Sequence, residues 1–80
     1  MNQNLFQIVL TTCPDEACAE RIARTLVEEG LAACVNILPG MTSIYRWEGA
    51  ITRDSEVVMI IKTRASLADP TIDAVKALHT

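Results

Sequence analysis

The stretch AITRDSEVVMIIKTR, residues 50–64, decides the fold. Its polar first half gives way to Val57-Val58-Met59-Ile60-Ile61, apolar at odd and even positions alike. That pattern predicts a central strand covered on both faces. At about 3.3 Å per residue the stretch reaches on the order of 50 Å, well past the ~17–20 Å of an ordinary strand. Part of it must therefore project as a ribbon. Upstream, Glu48-Gly49 offers a tight reversal, and Met41 to Trp47 reads as the strand that pairs with it. Pro39-Gly40 interrupts the alternation of Val35 and Ile37 with Cys34, Asn36 and Leu38, which predicts a bend or bulge in that second strand.

Leu5 to Thr12 is rich in Ile, Val, Leu and Thr and stops at Cys13-Pro14, the signature of a buried first strand. Pro14 suits the first position of a helix, with Asp15 and Glu16 in the positive first turn. Ala19, Ile22, Ala23, Leu26 and Val27 then make one apolar face, Glu20, Arg24 and Glu28 make a solvated charge ladder, and Gly30 suits the C-terminal cap. At the other end, Ser66 to Asp69 has the shape of a capping box, and Asp69 could equally cap a helix with Pro70 first. Leu67, Ala68, Thr71, Ile72, Val75, Leu78 and His79 share one face of the helix that follows.

The order β-α-β-β-α is that of an α+β, ferredoxin-like split βαβ unit lacking its final strand, an antiparallel sheet with both helices on one face. A single domain over residues 1–80, incomplete at its C-terminus, is the expected organisation. The absent fourth strand would leave the outer edge of the first strand unpaired.

With 7 basic and 10 acidic side chains, a formal charge of −3 and few aromatics (Phe6, Tyr45, Trp47), the chain lacks the basic stripe and stacking platforms of a nucleic-acid binder. Its longest apolar runs, Leu31 to Val35 and Val57 to Ile61, fall far short of the roughly 20 residues that span a bilayer. No basic residue occurs in residues 1–4, so a leader segment is not expected and the cytoplasm is the expected location. The 3 cysteines are then expected as free thiols.

Chemistry-bearing residues are few. There is 1 histidine and no nucleophile elbow, P-loop or glycine-rich turn, so a catalytic Cys13 at its helix N-terminus would act without a dyad partner, and no catalytic residue is assigned. Thiols and imidazole are instead the ligands of copper and zinc. The candidates are His79, Cys34 and Cys13, which lie on separate elements and would have to be assembled by the fold or between subunits. Taken singly, each thiol also reads as a small buried hydrophobe, and His79 as a cation at a helix end. Tyr45 and Trp47, on one face at the ribbon's tip, read as anchors in a neighbouring subunit.

Ala32-Ala33-Cys34-Val35-Asn36-Ile37, Pro39-Gly40, Ser43-Ile44-Tyr45-Arg46-Trp47-Glu48-Gly49, Ile61-Lys62-Thr63 and Leu78-His79 resemble, in order and spacing, the CutA divalent-cation tolerance family. Thr12-Cys13-Pro14-Asp15-Glu16 resembles that family's strand-to-helix junction. The resemblance implies a non-enzymatic ferredoxin-like subunit that forms a homotrimer through the Met41–Trp47/Ala50–Arg64 ribbon. It also implies weak or transient binding of copper or another divalent cation. His79 matches the histidine of the family's L-H-P-Y-E stretch, from which this chain departs at Thr80. A PII-like module binding a small molecule between subunits is the alternative on the same fold, and an acylphosphatase-like enzyme is a more distant third.

Overall fold

A computed structural model describes residues 5–79; the readings made on residues 1–4 and on Thr80 lie outside them. The described chain runs β1 (Phe6–Cys13), α1 (Glu16–Glu28), β2 (Cys34–Trp47), β3 (Ala50–Arg64), a short 3-10 turn (Ala65–Leu67) and α2 (Ala68–Leu78). The sheet is antiparallel with order β1-β3-β2, so β3 is central and pairs with both neighbours. The molecule measures 46 × 27 × 21 Å, its long axis matching the reach expected of β3.

The local chemistry explains the boundaries. Asp15, not a residue before Pro14, caps α1: its carboxylate accepts from the Cys18 amide at 2.8 Å, which leaves Pro14 outside the helix. At the other end the Gly30 amide donates to Val27 O (3.1 Å) and the Leu31 amide to Leu26 O (2.9 Å), with Gly30 at φ +73°. These are the paired bonds of a Schellman cap, and the left-handed residue they need is glycine. α2 starts without side-chain capping, because Ala65–Leu67 tightens into 3-10 geometry and feeds directly into the helix, so neither the Ser66 box nor an Asp69 cap forms.

Pro39-Gly40 makes the bulge: Leu38 pairs with Val58 but Met41 pairs with Glu56, one extra residue on β2. Alternation is thereby shifted. Before the bulge Cys34, Asn36 and Leu38 share a face with Lys62, Ile60 and Val58; after it Met41, Ser43, Tyr45 and Trp47 continue that face. Glu48 (φ 49°) and Gly49 (φ 81°) then close the hairpin as a turn with two left-handed residues, the twist that suits antiparallel strands.

Both helices lie on the face of β3 that carries Val57, Met59, Ile61 and Thr63. Ile22 and Leu26 of α1 and Val75 of α2 pack with Cys13, Met59 and Ile61. The buried hydroxyls are satisfied locally: Thr63 and Thr71 both donate to Leu31 O, at 2.5 and 3.2 Å. This carbonyl pins the loop after α1 beneath α2. The opposite face corrects the expectation that β3 is covered twice. No described helix crosses it, and Phe6, Ile8 and Leu10 of β1 are 64%, 62% and 68% exposed there, beside half-buried Val58 and Ile60. Apolar alternation on both sides of a strand says that both faces avoid water; it does not say that the same chain covers both.

Candidate functional site

Cys13 ends β1 opposite Val57, and α1 folds back over it from Asp15. The side chain is 1% exposed, and its thiol points at the Met59 thioether, Sγ to Sδ 3.4 Å. The Cys18 thiol lies close by on the first turn of α1, in the same buried cluster. Burial pushes the Cys13 thiol up to about 11, with Cys18 and the Asp15 carboxylate adding to the shift and the Arg21 guanidinium opposing it. Cys13 is thus a protonated, inert thiol at neutral pH, which removes the helix-terminus activation that a catalytic role would need.

Arg21 ties this corner together. Its Nη2 donates to Leu78 O at 3.2 Å, satisfying a carbonyl at the C-terminus of α2, and reaches Cys18 Sγ at 3.8 Å. The His79 backbone amide bonds Val75 O, and its ring Nε2 lies 2.5 Å from Thr12 O. In that geometry Nε2 carries the proton and donates, so metal ligation through Nε2 would require breaking the bond. The imidazole and Thr11, Thr12, Val75 and Lys76 line one open groove.

Cys34 lies elsewhere. It pairs with Lys62, whereas Cys13 pairs with Val57 on the other side of β3, so the two residues are offset by five positions, roughly 16 Å along the strand, and face opposite sides of the sheet. It is exposed, in a shallow groove with Phe6, Gln7, Ile8, Ala33 and Lys62, contrary to its reading as a buried hydrophobe. Of the candidate ligands, then, β1 and α2 bring Cys13 and His79 to the same end of the sheet, and Cys34 stands apart. Among the described residues no three His, Cys, Asp or Glu side chains gather as a metal cage within one chain. The spacing of Cys13 and Cys18 is only C-x4-C, a weak signal; what the sequence reading missed is the Met59 thioether 3.4 Å from Cys13 Sγ.

At the far end, Tyr45 and Trp47 are 40% and 63% exposed, and the Tyr45 hydroxyl donates to Asp54 across the ribbon. That hydrogen bond raises the phenol's pKa. Ile44 and Ile51, on the ribbon's other side, are also exposed. Among the described residues no helix is long and apolar enough to cross a membrane.

This arrangement recurs in known proteins. A divalent cation tolerance protein CutA1 from Ehrlichia chaffeensis superposes with a TM-score of 0.93 at 33% identity, over 98% of this chain and 73% of that one. Human protein CutA is 54% identical over 68 residues, covering 85% of this chain and 38% of its own length. The divalent-cation tolerance protein CutA of Thermus thermophilus is 51% identical over 73 residues, 91% of this chain and 71% of the relative. The Ehrlichia and Thermus proteins carry the divalent-ion tolerance name, and none of the three lends the PII-like alternative support. The family model described as CutA1 divalent ion tolerance protein matches residues 7–80. That match spans nearly the whole sequence, and the chain belongs to the CutA1 divalent ion tolerance protein family.

Proposed function

We propose that this chain is the subunit of a non-enzymatic, cytoplasmic homotrimer that binds copper or another divalent cation weakly. The observation that carries the reading is the uncovered apolar surface. Phe6, Ile8 and Leu10 lie exposed on the helix-free face with Leu38, and Tyr45 and Trp47 stand farther along the same face of the ribbon, beyond Glu56, Ser43 and Asp54. Two exposed apolar patches on one face of an 80-residue chain call for a partner, and a second and third copy supply the same surfaces in return. In such an assembly the ribbon reaches a neighbour, and Cys34 of one subunit can approach ligands of another, which no single chain provides. Cys13, Cys34 and His79 remain the proposed ligands of the divalent ion, with Cys13 and His79 drawn from one end of the sheet.

Sedimentation equilibrium at micromolar concentration should return three times the 8.8 kDa chain mass. A monomer would defeat the proposal. Titrations of copper(II) and zinc should show binding that weakens in His79→Ala and Cys34→Ser; equal affinities would remove those residues from the site.

A further inference from the structure

At the end of the sheet away from the ribbon, the loop after α1 meets the turn before α2, and between them lies a half-enclosed hollow of about 360 Å³. Gly30, Leu31, Ala32 and Ala33 of the loop and Leu67 of the turn line it, with Arg64 as the charged group. None of the proposed metal ligands takes part. The loop's amides are already committed: Gly30 donates to Val27 O, Leu31 and Ala32 to Leu26 O, and Ala33 to Lys62 O, at 2.9 to 3.1 Å. Leu31 O is held in turn by the Thr63 and Thr71 hydroxyls. A loop tied in this way keeps its shape whether or not the hollow is filled, and a preformed wall lowers the cost of binding. It also leaves the guanidinium as the donor a ligand would meet.

Arg64 is uncommitted where the loop is not. Among the described residues no hydrogen bond or ion pair engages its side chain, and no carboxylate lines the hollow. We propose that the hollow binds a small aliphatic monocarboxylate, with the carboxylate in the fork of the Arg64 guanidinium and the hydrocarbon body against Leu31, Ala32, Ala33 and Leu67. The planar guanidinium offers two parallel N–H groups, which match a carboxylate oxygen for oxygen. Phosphate or sulfate would bring more oxygens than one guanidinium can meet and turn the rest toward an aliphatic wall. An α-amino acid would bring an ammonium group for which the lining holds no carboxylate. The volume lies at the small end of the ~300–1,000 Å³ of ligand pockets, which suits a short or branched acid rather than a long chain.

This site goes beyond the proposed function and does not depend on it. The isotope-labelled full chain is titrated with 4-methylpentanoate and followed by amide chemical shifts. Saturable, one-site changes are expected at Gly30, Leu31, Ala32, Ala33 and Leu67, with Thr12 and His79 unmoved. 4-Methylpentanamide, uncharged and of the same shape, and leucine, the same skeleton with an ammonium group, should each bind at least about tenfold more weakly. Arg64→Gln, at an exposed position, should weaken the acid by at least about tenfold. Ala33→Leu, also exposed, fills the hollow and should abolish binding, whereas His79→Ala and Cys34→Ser should leave it unchanged. Equal affinity in Arg64→Gln, or an amide that binds as well as the acid, overturns the carboxylate assignment. Inorganic phosphate that binds more tightly than 4-methylpentanoate overturns it as well. Shifts that rise without saturating, or that centre on other residues, remove the site.

Discussion

Between residues 57 and 63 every second side chain of β3 is buried, whereas between residues 50 and 56 none is, although both halves pair with β2. The backbone ladder is nearly uniform along the strand; what differs is what lies over it. Two helices shield Val57, Met59, Ile61 and Thr63, and nothing in the described chain shields Ile44, Ile51 or Trp47. A two-stranded hairpin alone is marginal in water, so the ladder does not make the ribbon stable. The folded end of the molecule supplies its own core, and the described chain supplies none for the ribbon.

Truncation tests this contrast most strongly. Leu26 is fully buried, and Leu26→Ala should cost about 3–5 kcal/mol in chemical denaturation at any protein concentration. Trp47→Ala should behave differently. In an isolated chain an exposed ring is worth within about 0.5 kcal/mol, but docked against a neighbour it costs about 3 kcal/mol or more, and the loss grows on dilution. A small, concentration-independent effect of Trp47→Ala would mean that the ribbon is solvated and that the two halves differ only in burial.

The same contrast explains how far the sequence could be read. β3, the Pro39-Gly40 bulge, the Glu48-Gly49 turn and the Gly30 cap each follow from a local signal, periodicity or a residue that tolerates positive φ, and each forms where that signal lies. The bare sheet face did not follow, because alternation records avoidance of water and not the identity of the cover. The start of α1 was misplaced by reading Pro14 as helical when the Asp15 carboxylate competes better for the Cys18 amide. The sulfur contact was hidden for another reason: Met59 sits 46 residues from Cys13, inside a run that reads simply as core. The signal was present in the register, since Cys13 opposite Val57 puts Met59 diagonally across on the same face.

A pH experiment sharpens the picture at the core end. Burial raises the Cys13 thiol to about 11, so the folded state holds that proton more tightly than the unfolded chain does. The stabilisation is complete below the ordinary thiol range near 9 and is lost as pH rises toward 11, amounting to about 1–3 kcal/mol. Wild type should therefore lose more stability than Cys13→Ala between pH 8 and 11 in urea titrations. Parallel losses would show that the unfolded chain binds this proton as tightly as the folded one.

The smallest expected effect falls on the ribbon and is the most discriminating. Gly49 has φ +81° and a Cβ placed there meets nothing within 4 Å, so Gly49→Ala imposes backbone strain without a clash, about 1 kcal/mol. Where that energy is felt depends on what covers the hairpin. A ribbon free in solvent relieves the strain by fraying at its tip, and the melting midpoint stays put because local opening is uncoupled from global unfolding. A ribbon clamped in a neighbouring subunit cannot fray, so the strain is transmitted to the assembly and the midpoint drops, by more at low protein concentration than at high. Thermal melts at two concentrations a hundredfold apart separate these cases. The clamped outcome is the one expected here, and an unchanged midpoint at both concentrations would make the ribbon an independent hairpin rather than the joint between subunits.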